Sequence, residues 1–253
     1  MQTRTYLTHR RPAIFQPFTD LIVGESTRLG GVSPEPYASL NLGLHTDDDP
    51  DNVAKNRARF CRELGIPVDR LAGSHQVHGS KILEVQKAGN YEGFDALITQ
   101  KKHLYLTVTV ADCTPVLVCD PVNQVVAAVH AGWKGTAAGI VAKTLDQMMA
   151  IFGTQPNDCY AYVGTCIDEC SFEVDADVAD EFAASFKRWD ADKGKYFIDL
   201  KAANREQLLK RGLPSGNIGL SQYSTYLNND QYFSYRKERG KTGRMLALIG
   251  FKD

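Results

Sequence analysis

With 253 residues, 43% of them hydrophobic and 23% charged, the chain has enough material to bury a substantial core, and its composition is neither that of a disordered protein nor that of a membrane-spanning one. Lys and Arg total 29 against 30 Asp and Glu, so the formal net charge of -1 excludes a general attraction to nucleic acid or to an anionic membrane. Six cysteines, at 61, 113, 119, 159, 166 and 170, are too sparse for a disulfide framework, so any functional cysteine is expected to be a ligand or a nucleophile.

The chain opens with MQTRTYLTHRRPAIF, basic residues with no continuous apolar run behind them. Neither a signal peptide nor a membrane anchor is expected there, and a cytoplasmic location follows. There is no internal repeat, low-complexity tract or long linker, so one domain over 1–253 is the simplest organisation, with a monomer as the working expectation. Gly30–Pro34 and Tyr37–Gly43 read as loops between short strands. Asp49-Pro50-Asp51 can start a helix through Val53, Arg57, Phe60 and Leu64, with Gly65 as its stop. Leu104–Val110, Pro115–Cys119 and Val125–Val129 are apolar or β-branched runs expected to meet as three strands. After a glycine turn, Ala137–Phe152 has helical spacing and ends at Gly153. Cys159–Val163 reads as a strand, Asp177–Phe186 and Ala202–Leu209 as helices, and Tyr232–Tyr235 and Arg244–Ile249 as strands around a polar turn. Interleaved strands and helices predict an α+β (mixed α/β) fold, with mixed β-sheets flanked by helices.

Cys sulfur and His nitrogen are the donors that zinc prefers, and a catalytic zinc keeps three protein ligands and one open position. His78, Cys113 and His130 each fall at the end of an apolar run or in a turn, and neighbouring strands would bring such ends together. Their separations of 35 and 17 residues match no short metal motif. On spacing alone, a buried cysteine beside hydrogen-bonded surface histidines explains them as well. The turn Ala131-Gly-Trp-Lys-Gly-Thr136 could expose backbone N–H groups to an anion beside Lys134, or could simply turn the chain. His75 could orient His78 or bond to the backbone. Cys166 and Cys170, the acidic run Asp47-Asp48-Asp49 and the basic turn Arg236–Arg244 are further candidates with ordinary structural readings.

Taken together, Gly30-Gly-Val-Ser33, Ser39-Leu-Asn-Leu-Gly43, Asn56-Arg57, His75-Gln-Val-His-Gly79, Asp112-Cys113, His130-Ala-Gly-Trp-Lys-Gly135, Phe233-Ser-Tyr-Arg236 and Thr242-Gly-Arg244 resemble the YfiH family along almost the whole chain. Its members were first regarded as laccase-domain or multicopper polyphenol oxidases and are now regarded as purine nucleoside phosphorylases. The resemblance implies a single-domain fold of sheets flanked by helices. It also implies a zinc site on His78, Cys113 and His130, phosphorolysis of adenosine, inosine and methylthioadenosine, and deamination of adenosine. By the same resemblance, Asn41, Arg57, Gln76 and Arg244 would contact the purine nucleoside or phosphate, and Lys134 of the glycine turn is a further candidate for the phosphate. The chain departs from the family pattern at Thr165, where proline is common, and at Ser224, where cysteine is common.

For deamination, zinc would lower the pKa of a water that attacks C6 of adenine, and Asp112, next to Cys113, is a candidate acid for the leaving ammonia. Phosphorolysis builds positive charge on the ribose and asks for an oriented phosphate, for which zinc is not an obvious requirement. Three rival readings stand beside these. One is a metal-free hydrolase with Cys113 as nucleophile and His130 as base, of the kind that would edit cell-wall precursors. A copper polyphenol oxidase is disfavoured, because six widely spread histidines supply few ligands. A noncatalytic binding module is the third.

Overall fold

A computed structural model describes residues 7–252, so the first six residues of the N-terminal segment considered above lie outside it. One six-stranded sheet runs in the order β1 (His9–Arg10), β2 (Leu21–Ser26), β15 (Met245–Phe251), β7 (Tyr105–Val110), β3 (Leu71–His75), β5 (Gly89–Glu92). A second runs β14 (Ile218–Leu220), β10 (Tyr160–Val163), β8 (Thr114–Asp120), β9 (Val125–Ala131), β6 (Ala96–Thr99), β4 (Ile82–Glu84). Both sheets mix parallel and antiparallel pairs, as the α+β expectation requires.

β8 and β9 are apolar at nearly every position because both of their faces are covered. Val116, Val118, Ala127 and Val129 pack on the side of α3 (Ile140–Phe152) and α5 (Leu200–Lys210). Leu117, Cys119, Val126 and Ala128 face the other way, against Leu106 and Val108 of β7 and Ala247 and Ile249 of β15. Beyond the first sheet, Phe60 and Cys61 of α1 (Pro50–Leu64) meet Leu246 and Leu248. The layers are therefore helix, sheet, sheet, helix. α1 starts as its sequence dictates: the Asp49 side chain accepts from the Asp51 N–H, Pro50 occupies the first turn and Gly65 closes the helix at φ 70°. No described helix is long and apolar enough to cross a membrane.

The three central runs meet as strands, but across two facing sheets: Asp112 takes φ 86° and the chain passes there from β7 in one sheet to β8 in the other. Three sequence expectations change. The helix expected from Ala137 starts at Ile140, since Gly139 at φ 74° separates it from the short α2 (Trp133–Ala137). The segment 177–186 is only α4 (Ala176–Ala179) followed by a 3-10 turn, Ala184–Phe186. Its Ala179, Phe182 and Phe186 pack instead against a small sheet of β11 (Glu173–Val174), β13 (Lys195–Ile198) and β12 (Lys187–Asp190), so tertiary burial overrides the helical spacing. Tyr232–Tyr235 is not a strand: Tyr232 and Phe233 are apolar because they plug a cluster with Val110 and Met245.

Candidate metal centre

The crossover between the two sheets builds the site. β3 delivers the chain to a turn in which His78 takes φ 58°, β7 delivers it to Cys113, and β9 carries His130 as its penultimate residue. The ligand atoms of His78, Cys113 and His130 all lie within 4.8 Å of one another, and the His78 and His130 rings meet edge-on at 4.8 Å. Among the described residues, no other set of three or more His, Cys, Asp or Glu is so grouped. Two imidazoles and a thiol at this spacing have the donor set and number of a catalytic zinc site.

Asp95, which sequence reasoning missed, holds the arrangement together. β6 and β9 pair with Ala96 opposite Val129, so Asp95 falls opposite His130, whose N–H donates to the Asp95 carbonyl at 2.7 Å. The Asp95 carboxylate is buried. One oxygen takes His130 Nδ1 at 2.8 Å and the His78 N–H at 2.9 Å, and the other takes the N–H groups of Gly79 at 2.7 Å and Val77 at 3.3 Å. Holding Nδ1–H leaves Nε2 of His130 as the nitrogen for a metal, the outer-sphere device usual at metal-bound histidine. No local motif marks Asp95; only the strand register places it.

The glycines of the following turn are close-approach positions. A Cβ on Gly132 would stand 3.0 Å from Cδ2 of His78 and 3.2 Å from the Cys113 sulfur, and one on Gly135 would stand 2.9 Å from the Gly79 carbonyl. Gly132 thus lets the chain pass directly over the ligands.

Electrostatics match the geometry. Burial opposes ionisation of the Cys113 thiol, yet the adjacent His130 and hydrogen bonds from His130 and His78 pull it down to about 6. Burial also works against a charged His130, but Cys113 and Asp95 push it up to about 9. Burial likewise disfavours the Asp95 carboxylate, which the His130 ring and the N–H groups of Gly79 and Val77 hold below its usual range. The site therefore favours a thiolate, one of the forms a metal requires.

The three residues open onto a cavity of about 510 Å³, within the usual range for a small-molecule site. Gln76, Asp112 and Arg244 also line it, together with Phe172, Tyr235 and Arg236. Gln76 is already committed: its Nε2 donates to the Thr109 carbonyl and its Oε1 accepts the Thr109 N–H, both at 2.8 Å. Asp112 accepts from Thr225 Oγ1 at 2.6 Å and from the Arg236 N–H at 2.7 Å, so it tethers the basic turn to the cavity. Arg244 donates to the carbonyls of Thr242 and Gly243, and its guanidinium lies over Tyr235.

Three predicted contacts sit elsewhere. Asn41 is buried, donating to Thr46 and Asp48 and accepting the N–H groups of Gly43 and Arg244. Arg57 is buried and donates to the Leu42 carbonyl. Lys134 is exposed on α2 and does not line the cavity. Of the other candidates, Cys166 is buried and Cys170 exposed, and Asp48 and Asp49 are spent within the fold, one on Ser33 and Asn41 and the other capping α1. The Thr165 departure has a partner: its N–H, which proline lacks, and its hydroxyl both donate to the buried Glu25, at 2.6 and 2.8 Å.

Residues 22–252 match the family model described as multi-copper polyphenol oxidoreductase laccase. The chain is similar to a purine nucleoside phosphorylase of Deinococcus radiodurans, 41% identical over 227 residues, covering 89% of this chain and 87% of that one. It is also similar to the purine nucleoside phosphorylase YlmD of Geobacillus stearothermophilus, 37% identical over 253 residues, covering 94% and 92%. Its fold is that of the crystal structure of the Bacillus licheniformis hypothetical protein YfiH, with a TM-score of 0.91 at 33% identity, covering 98% of this chain and all of that one.

Proposed function

The chain belongs to the multi-copper polyphenol oxidoreductase laccase family of YfiH and YlmD proteins, and from that premise we propose that it is a zinc-dependent purine nucleoside phosphorylase, acting on adenosine, inosine and methylthioadenosine, that also deaminates adenosine. The observation that carries this reading is the convergence of His78, Cys113 and His130, backed by Asp95, on a cavity of nucleoside-accommodating size. Zinc, when bound, supplies Lewis acidity that can polarise an oxygen or acidify water. His78, Cys113 and His130 would hold it; copper is the alternative ion, and two imidazoles with one thiolate also suit it.

The remaining work falls to side chains of the chain itself. Arg244 and Arg236 bring positive charge to the cavity, where a phosphate dianion is stabilised by guanidinium donors. Phe172, Ile167 and Tyr235 offer the apolar and aromatic wall that a purine ring stacks on. Asp112, whose two oxygens are both engaged, keeps Arg236 and its turn in place rather than donating a proton. Asn41 plays the same part for Arg244 through its backbone. Gln76 fixes β3 to β7 at the cavity wall, and Arg57 braces the loop that carries Asn41.

The test is a nucleoside panel on purified, zinc-quantified protein. Free base and ribose 1-phosphate should form from inosine only when phosphate is present, and ammonia should form from adenosine without it. A zinc-loaded sample inert towards every nucleoside would remove the assignment. One observation favours a second reading: a Cys113 thiol pulled down to about 6 beside His130 is also what a cysteine hydrolase needs. Activity that survives complete metal removal and is abolished by alkylation of Cys113 would select it.

A further inference from the structure

One histidine of the cavity wall has no part in the site so far. His75 is the last residue of β3 and Glu92 the last of β5, and the two strands run parallel with these residues as register partners. His75 Nδ1 and a Glu92 oxygen are 3.0 Å apart. The ring of His45, from the loop after Gly43, stacks on the His75 ring at 4.1 Å with an angle of 27° between the planes. His45 and His75 both line the cavity that contains His78, Cys113 and His130.

We propose that His75, fixed by Glu92 and covered by His45, is the acid that protonates the departing purine during phosphorolysis; this rests on the phosphorylase reading given above. Breaking the bond between C1′ of the ribose and N9 of the base sends its electron pair into the purine, and an unprotonated purine anion leaves poorly. A proton delivered to N7 neutralises that charge as it forms. The Glu92 carboxylate takes the Nδ1–H of His75, so when the ring carries its second proton, that proton sits on Nε2. In the step, Nε2–H passes its proton to N7, the C1′–N9 bond breaks with its electrons going to the base, and a phosphate oxygen forms the new bond to C1′. The products are neutral purine and ribose 1-phosphate. The His75 side chain is 49% exposed and Glu92 74%, so the ring recovers its proton from water after each turnover.

His45 has a supporting place. Burial, and then the neighbouring His75, hold it below the usual imidazole range, while Glu92 acts weakly the other way. An uncharged ring therefore covers one face of His75 without competing as a cation for the phosphate. The His75 ring is held by Glu92 of β5 and by His45 of the loop after Gly43, neither of which lies on the strands that lead to Cys113 or carry His130.

The experiment compares inosine with 7-methylinosine, whose quaternised N7 already carries the positive charge and needs no proton to leave. In His75→Gln, kcat/KM for inosine should fall by about 10²–10⁴-fold, while that for 7-methylinosine should change by less than about fivefold, with zinc content unchanged. Glu92→Gln, at a side chain that is 74% exposed, should show the same split at smaller size. Equal losses on both nucleosides, or no loss on either, would overturn the dyad alone. A wild-type protein inert towards both would overturn the phosphorylase reading, and the dyad with it.

Discussion

Replacing Asp95 by Asn changes one atom of a buried carboxylate and removes its charge. One oxygen of Asp95 serves His130 Nδ1 and the His78 N–H, and the other serves the N–H groups of Gly79 and Val77. An asparagine must put its NH₂ at one of these places, facing either the Gly79 and Val77 N–H groups or the His78 N–H and the His130 ring. A donor left without an acceptor in a buried site costs about 1–3 kcal/mol, so the metal-free variant should lose about that much stability. If the NH₂ faces His130, the ring is also driven to the tautomer with its proton on Nε2, the nitrogen needed for the metal. Zinc affinity should then fall roughly 10–100-fold, the usual effect of losing such a partner. Competition with a chromophoric chelator reads the affinity, and urea unfolding of the metal-free protein reads the stability. An affinity within about twofold of wild type would refute the argument that Asp95 orients the ligands.

Three further outcomes follow from the same geometry. In Gly132→Ala the new methyl would stand 3.0 Å from His78 and 3.2 Å from the Cys113 sulfur, and since metal sites tolerate shifts of only about 0.2 Å, zinc affinity should drop about tenfold with little change in the urea midpoint. Asp112→Asn should raise the KM for phosphate about tenfold at constant zinc content, because the Arg236 turn loses one charge-assisted tether; an unchanged KM would show that the turn needs no anchor. Glu25 is the third case. Burial, partly offset by Thr165, Tyr162 and Lys201, holds its carboxyl above the usual range. The folded state therefore binds this proton more tightly than the unfolded state does. The stability that it gives is full below the ordinary carboxylate pKa and is lost as pH rises through the folded value. Glu25→Gln should remove that component, so the stability of wild type relative to the variant should decline from pH 4 upward in urea titrations; a constant difference would contradict it.

The sequence made α1 legible because its caps and periodicity are local: Asp49, Pro50 and Gly65 with the spacing of Val53, Arg57, Phe60 and Leu64. The central strands were legible as apolar runs, but their partition between two sheets was not, because a run buried on both faces carries no alternation to say what lies on either side. The triad could be named from residue type and family resemblance, while its cohesion depends on Asp95, Gly132 and the register of β6 against β9, which are long-range facts. His75 stood in a visible motif, yet its partner Glu92 lies on a short strand paired in parallel, with no signal in the intervening residues. Asn41 and Arg57 attract attention through the family resemblance, and burial explains them: each satisfies backbone groups that folding removes from water.

The most direct measurement is X-ray absorption at the zinc edge on protein purified without added metal, with metal content determined on the same sample. About one zinc per chain is expected, with one sulfur near 2.3 Å and nitrogens near 2.0–2.1 Å, the sulfur shell disappearing in Cys113→Ala. Protein that carries no zinc, or zinc whose shell contains no sulfur, would contradict it.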